Sequence, residues 1–305
     1  MKILILGAGG IGGYFGARLQ DAGADVTFLV RPGRAAQLAA DGLRVSSPFG
    51  DTRVTPKTVT AAAEQYDVII LSCKAYDLDS AVAAIAPAVG PHSVVLPLLN
   101  GLAHIDVLEA RFGRERVLGG VAQLAVMLAP DGQVKHLNRM HRLTFGPRNE
   151  RESPWLARLE RLLKGAGVDG QLSSHIEQDM WDKLVFLATL AAATCTMRAN
   201  VGEIIAAGGE GFILGLLDEC RSVAAAHDRT TAPERLAAYR GQLTDAGSTL
   251  AASMLRDIER GGPTEGDHVI GDLIRRGDGK DLALPLLRLA YTHLAAYELR
   301  RSRAA

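Results

Sequence analysis

The chain has 305 residues, 48% hydrophobic and 22% charged, with 34 basic and 34 acidic side chains and a formal net charge of zero. That length suits two domains with sizeable cores, and the neutral balance excludes long-range attraction to nucleic acid or to an anionic membrane surface. The cysteines, Cys73, Cys195 and Cys220, are odd in number, far apart and form no CxxC, which argues against a disulfide scaffold and against a zinc site and fits a reducing cytoplasm.

No secretory leader is read at the start, because the first apolar run, Ile3–Leu6, leads directly into glycines. The first half then alternates short β-branched runs with helical patterns. Lys2–Leu6 is a strand, Gly10–Ala22 a helix, Asp25–Val30 a strand, Asp67–Leu71 a strand, Leu78–Ala86 a helix and Ser93–Pro97 a strand. These strands are continuously apolar rather than alternating, so both faces are buried and a parallel sheet covered by helices is expected. Val117–Met127, Gly132–His136 and Arg142–Phe145, with Gly, Pro and Asp between them, read as an antiparallel portion, and a helix over Pro154–Gly165 with a short strand near Val168–Leu172 closes the domain. From His175 onward helical patterns dominate: Glu177–Met197, Glu210–His227, Pro233–Arg260, Pro263–Arg275 and Pro285–Arg300. Pro233, Pro263 and Pro285 stand near helix starts, where a missing N–H costs nothing, and Gly261-Gly262 ends the third helix. The apolar run Leu184–Met197 is short of the roughly 20 residues that cross a bilayer and reads as a core helix. Arg300, Arg301 and Arg303 read as a solvated, frayed end. The expected fold is α/β: a dinucleotide-binding domain over residues 1–173 and an all-α domain over residues 174–305.

Gly7-Ala8-Gly9-Gly10-Ile11-Gly12 is a G-x-G-x-x-G that follows a buried strand and opens a helix, the context in which the pattern marks a Rossmann dinucleotide site. Gly7 permits the tight turn, Gly9 lets the backbone approach a pyrophosphate, and Gly12 lets helix and strand pack closely. The helix N-terminus offers N–H groups and the positive end of its dipole. At the end of the second strand, where an NAD site carries a carboxylate for the ribose hydroxyls, this chain has Arg31, with Arg34 three residues on. A guanidinium suits a 2′-phosphate, so NADP(H) is favoured over NAD(H). The alternative is that both arginines are solvated loop cations.

Lys74 and Asn100 lie at C-terminal strand ends, where open parallel sheets bind ligands; a surface lysine and a turn asparagine are the plain alternatives. Lys183 opens the most apolar helix, where an ammonium either reaches out to water or is held in a cleft. In a cleft it donates a proton to a carbonyl oxygen as hydride reaches the carbon. Ser253 and Glu265 flank the break at Gly261-Gly262, and Glu265 also fits a first-turn acid stabilised by the helix dipole. No metal site is read, and the Ala-rich faces of the helical half leave a homodimer open.

Taken together, the ordered motifs resemble the ketopantoate reductase (2-dehydropantoate 2-reductase) family over nearly the whole chain: Gly7–Gly12, Cys73-Lys74-Ala75, Asn100-Gly101, Trp181-x-Lys183-Leu184, Ser253-Met254-x-x-Asp257, and Thr264-Glu265 followed by Gly271. The resemblance implies a Rossmann domain, a helical domain and an active site in the cleft between them. It implies NADPH-dependent reduction of a small 2-oxo acid, ketopantoate to pantoate in pantothenate biosynthesis. Lys183 then resembles the general acid, and Glu265 the acid that contacts the cofactor and orders the site. Lys74 and Asn100 resemble residues near nicotinamide and substrate, Ala125 a backbone contact to the cofactor, and Ser253 the hydroxyl that binds the substrate carboxylate.

The chain departs from the family where asparagines contact the substrate. Those positions hold Leu187, Ala191, Val201 and Leu250, and the arginine often found before the Thr-Glu pair is Gly262. Burying a substrate hydroxyl against Leu and Ala costs about 1–3 kcal/mol unless Thr189, Thr194, Arg198 or Asn200 substitutes. A less hydroxylated 2-oxo acid, or another carbonyl compound, is therefore an alternative substrate. A non-catalytic NADP(H)-binding sensor is a further alternative, and retention of Lys183 and Glu265 speaks against it.

Overall fold

The computed structural model of the chain describes residues 1–149 and 153–304. The chain packs as two units, Met1–Leu99 with His104–Glu177, and Asn100–Ala103 with Gln178–Ala305. The sequence divides the chain between residues 173 and 174, just ahead of the point where the packing changes.

In the first unit β1 (Lys2–Leu6) carries Ile3, Leu4 and Ile5 with no exposed surface, as an unbroken apolar run between two helical layers requires. It is followed by α1 (Gly10–Asp21), β2 (Asp25–Leu29), α2 (Pro32–Asp41), β3 (Leu43–Ser46), β4 (Thr52–Val54), β5 (Lys57–Val59), β6 (Tyr66–Leu71), α3 (Leu78–Ile85) and β7 (Val89–Pro97). Then come α4 (Ala103–Phe112), β8 (Gly119–Gln123), β9 (Val126–Leu128), β10 (Val134–His136), β11 (Arg142–Gly146), α5 (Pro154–Gly165) and β12 (Asp169–Leu172). The main sheet has the order β5-β2-β1-β6-β7, and every neighbouring pair is parallel. The order reverses at β1, with β2 on one side and β6 on the other, which makes the C-terminal ends of β1 and β6 the topological switch point where open parallel sheets bind ligands. Residues of β1, α1, β2, β6 and β7 share one core with Phe145, Leu159 and Leu163.

The region expected to be antiparallel is mixed. β8 pairs antiparallel with β11, and β9 with β10, but β10 runs parallel to β3 and β11 parallel to β12. Val117–Met127, read as one run, divides into β8 and β9 around Leu124-Ala125, and Val117 forms an isolated bridge to Val95. Sequence patterning also passed over α2, α4 and the short strands β3, β4 and β5. α2 buries only Leu38, and β3 to β5 are three or four residues long with polar faces, too short for periodicity to register.

The second unit consists of α6 (Ile176–Met197), α7 (Val201–Ala206), α8 (Glu210–Ala226), α9 (Pro233–Leu243), α10 (Ser253–Glu259), a π-helical turn over Asp267–Gly271, α11 (Asp272–Asp278) and α12 (Pro285–Ala304). The helix expected over Pro233–Arg260 is two helices. Asp245 and Ser248 bond nearby backbone N–H groups, of Gly247 at 2.8 Å and Leu250 at 3.1 Å, which favours turns over helix. The carbonyls of Leu250 and Ser248 accept from Val201 and Gly202, satisfying the first donors of α7. Helix over Pro263–Arg275 likewise begins only after Glu265. Among the described residues no helix is long and apolar enough to cross a membrane, and no group of three or more His, Cys, Asp or Glu side chains is placed to hold a metal ion.

Candidate functional site

The first unit presents a glycine cradle. Gly7 has φ of 93°, a conformation that L side chains rarely adopt, and its N–H donates to the Leu29 carbonyl at 2.9 Å. A Cβ on Gly12 would stand 2.2 Å from Ser72 Oγ and 2.3 Å from the Gly7 carbonyl oxygen, so this position admits no side chain. Ser72 holds the turn from the next strand, its Oγ donating to the Leu6 carbonyl at 2.9 Å. By contrast a Cβ on Gly9 meets nothing within 4 Å. α1 starts at Gly10 with no side-chain cap on its first N–H groups. Open space above an uncapped helix start, floored by a turn that cannot take a side chain, fits a pyrophosphate. Gly7, Ala8, Gly9, Gly10, Ile11 and Gly12 are thus brought together, and Ser72, unremarkable in the sequence, joins them.

The two arginines after β2 part company. Arg34 turns inward: Nε and Nη2 donate to the Ala8 carbonyl at 3.2 and 2.9 Å, Nη2 also to Gly132 O at 3.1 Å, and Nη1 to Gln37 at 2.6 Å. Burial pulls its guanidinium below the ordinary value. Its donors therefore fasten the glycine turn to the β9–β10 turn. Arg31 is 79% exposed at its side chain and pairs with Asp77 at 2.8 Å. Lys74 is half-buried at the end of β6, where its carbonyl accepts from Asp77 N at 3.0 Å. Ala125 lies between β8 and β9 with both backbone groups engaged: its N–H donates to Asn138 Oδ1 at 3.0 Å, and its carbonyl accepts from Leu137 N at 2.7 Å. That carbonyl keeps a second lone pair. The neighbouring Val126 backbone lies against Gly10, its carbonyl oxygen 3.5 Å from where a Cβ would stand.

The second unit gathers the ionisable residues. Lys183 stands near the start of α6, half-buried beside Trp181, Leu184 and Val185, which are buried. Desolvation lowers its ammonium from 10.5 to about 8, against the attraction of the Glu265 carboxylate. Glu265 is 7% exposed in the loop before the π-helical turn. His268, within that turn, interacts with Glu265, Asp272 and Asp267, but burial outweighs them and lowers its pKa. A Cβ on Gly101, where φ is 82°, would stand 2.9 Å from the His268 carbonyl oxygen and 3.1 Å from its ring, so only glycine allows this approach. Asn100 is thereby set beside His268, and through Glu265 the cluster extends to Lys183. His268 carries no signal in the residue pattern, because a π-helical turn has no periodicity of its own, although such turns recur at functional sites. Ser253 opens α10 and is half-buried; the N–H of its neighbour Ala252 donates to Thr194 Oγ1 at 3.3 Å, which ties α10 to α6.

Of the polar side chains near the replaced asparagines, Thr189, Thr194, Asn200 and Arg198 are already engaged, whereas the buried Thr196 hydroxyl on α6 has no protein partner among the described residues. Thr189 is fully buried and donates to Val185 O at 2.8 Å; Thr194 is fully buried and donates to Leu190 O at 2.7 Å. Asn200 caps α7 in a reciprocal pair with Glu203. Arg198 donates to His293 at 3.4 Å and lies 5.6 Å over the Tyr297 ring. Ala191 and Val201 are buried, Leu187 and Leu250 half-buried. Chemically, the unit offers an ammonium that titrates at about 8, still mostly charged at physiological pH, a buried carboxylate that attracts it, and apolar walls along α6.

The family model described as Ketopantoate reductase PanE/ApbA matches residues 3–150, and the one described as Ketopantoate reductase PanE/ApbA C terminal matches residues 175–298. The chain is 36% identical over 300 residues to the uncharacterized oxidoreductase YkpB of Bacillus subtilis, covering 98% of this chain and 99% of that protein. It is 27% identical over 316 residues to a 2-dehydropantoate 2-reductase of Mesorhizobium japonicum, covering 94% of each. A solved PanE/ApbA family ketopantoate reductase of Ralstonia eutropha matches with a TM-score of 0.88 at 27% identity, over 99% of this chain and 100% of that one.

Proposed function

Because the chain belongs to the ketopantoate reductase family of oxidoreductases, we propose that it holds NADP(H) on the Gly7–Gly12 loop and reduces the 2-carbonyl of a small 2-oxo acid, with 2-dehydropantoate the first substrate to assay. When bound, the reduced dinucleotide supplies the hydride. The backbone from Gly7 to Gly12 cradles the pyrophosphate, and Arg31 answers the 2′-phosphate. Lys74, Asn100 and the Ala125 backbone bound the nicotinamide and substrate, and the Ser253 hydroxyl donates a hydrogen bond to the substrate carboxylate. Lys183 Nζ gives its proton to the carbonyl oxygen and recovers one from water; before transfer its charge opposes the negative charge developing there. Glu265 keeps the ammonium charged against its burial and completes the cofactor contacts.

The observation that carries this reading is the Lys183–Glu265 pair, an ammonium brought down to about 8 beside a buried carboxylate. A proton donor with that pKa is matched to work near neutrality. The test is NADPH oxidation across a panel of 2-oxo acids, with Lys183→Ala expected to lose turnover while retaining NADPH affinity. Undiminished turnover in that variant overturns the assignment. Turnover of no carbonyl compound, with NADPH still bound, turns the reading toward a dinucleotide-binding sensor.

A second reading of the substrate is favoured by the engaged hydroxyls of Thr189 and Thr194 on α6: a 2-oxo acid with fewer hydroxyls than 2-dehydropantoate. Thr189 and Thr194 donate to their own helix, so a substrate hydroxyl set against Leu187 and Ala191 finds no free side-chain amide. Two unmet contacts correspond to roughly a hundredfold in transition-state binding. A higher kcat/KM for 2-dehydropantoate than for its deoxy analogue defeats this reading and leaves the first intact.

A further inference from the structure

We propose that Asp77 sets how strongly the site prefers NADP(H) to NAD(H), by holding Arg31 in an ion pair across the glycine turn and competing with the 2′-phosphate for that guanidinium. This rests on the reading that Arg31 meets the 2′-phosphate.

Arg31 follows β2 and Asp77 follows β6, the strands on either side of β1. Neighbouring strands lie about 4.8 Å apart, so the pair spans roughly 10 Å over the end of β1, where the glycine turn begins. Arg31 Nη2 reaches Asp77 Oδ1 at 2.8 Å. The fold does not require this contact. Arg31 is 79% and Asp77 35% exposed at the side chain, and exposed pairs add little stability. Asp77 stands at the N-cap of α3, yet its side chain makes no cap bond. Arg34, the other cation after β2, is committed to Ala8, Gly132 and Gln37. The guanidinium left to meet a 2′-phosphate therefore carries a carboxylate already.

A phosphate monoester bears about 1.5 to 2 negative charges at neutral pH. Placed on the same guanidinium about 6 Å from Asp77, in an exposed setting screened over about 8 Å, it meets a repulsion equivalent to about three- to tenfold in Kd. NADH, lacking that phosphate, meets none. Asp77 thus moderates NADP(H) affinity rather than creating it, and narrows the gap between the two dinucleotides.

The experiment is titration of NADPH and NADH, followed by fluorescence, into the wild-type protein, Asp77→Asn, Arg31→Ala and the double variant, with melting temperature recorded for each. Asp77→Asn is expected to melt as wild type, to tighten NADPH about three- to tenfold, to leave NADH within about twofold, and to lose most of its gain at about 0.5 M salt. In the Arg31→Ala background the gain disappears. If Arg31→Ala weakens NADPH selectively while Asp77→Asn leaves NADPH affinity unchanged, or tightens both dinucleotides equally, the inference is overturned and the reading of Arg31 stands. If Arg31→Ala weakens neither dinucleotide, the reading of Arg31 fails, and the inference with it.

Discussion

Replacing Lys183 by Met removes the titrating group while keeping an apolar stem of similar length, so the variant measures what the fold gives up to hold an ammonium there. In the folded chain the group titrates at about 8, against an ordinary value of 10.5. At 1.36 kcal/mol per unit that gap corresponds to roughly 3 kcal/mol. The attraction of Glu265 is already inside this net shift, so desolvation wins and the charged lysine opposes folding. The unfolded chain binds the proton more tightly than the folded one, so wild-type stability rises with pH between about 8 and 10.5. The variant's advantage is therefore full below pH 8 and vanishes above 10.5. Thermal melts at pH 7 are expected to show Lys183→Met up to roughly 5–10 °C above wild type, while turnover falls by about a hundredfold or more. A variant that melts no higher than wild type at neutral pH, or whose advantage persists undiminished above pH 10.5, refutes the argument that burial depresses this ammonium.

On the proposed mechanism the same titration should govern rate: kcat/KM is expected to fall about tenfold per pH unit above 8 as the donor proton is lost, and a profile still level near pH 9.5 removes Lys183 from the role. Gly9→Ala and Gly12→Ala should separate ligand space from packing space. The Gly9 methyl meets no protein atom, so melting is unchanged while dinucleotide affinity drops about tenfold or more, whereas the Gly12 methyl collides with Ser72 and Gly7 and lowers the melting temperature itself; equal melting of the two variants contradicts the cradle geometry. Asn138→Ala frees the Ala125 N–H, and losing about 1 kcal/mol of positioning should weaken dinucleotide binding about fivefold with kcat at saturation unchanged.

The parallel sheet was readable because burial on both faces leaves an unmistakable mark: Ile3-Leu4-Ile5 and Val68-Ile69-Ile70-Leu71 carry no polar residue and have no exposed surface. The glycine loop was readable for a related reason, since close approach at Gly12 excludes every side chain and fixes the residue type. What did not show was structure made by tertiary pairing. β3 and β5 pair with strands distant in sequence, β10 and β2, and β4 is an edge strand paired only with β3, while α9 and α10 look like one helix until the Asp245 and Ser248 turns are seen to cap α7. Propensity favours a continuous helix there; the backbone bonds to Val201 and Gly202 override it.

In the site, residue type was more legible than commitment. Arg31 and Arg34 are equivalent as letters, yet one guanidinium is bound to backbone carbonyls and the other faces solvent with a carboxylate attached. Thr189 and Thr194 offer hydroxyls in the sequence, but a helix interior supplies a carbonyl four residues back, and in a buried setting a hydroxyl bonds the acceptor it already has. A bound substrate would have to break that bond and replace it without loss, which an apolar neighbour such as Leu187 or Ala191 does nothing to assist. If the substrate lies along this helix, as proposed, its choice should follow from where the donors already point. On the proposed reading, an apolar wall of this kind should discriminate among 2-oxo acids by about 1–3 kcal/mol per methylene, and each hydroxyl a substrate brings along it should count against binding.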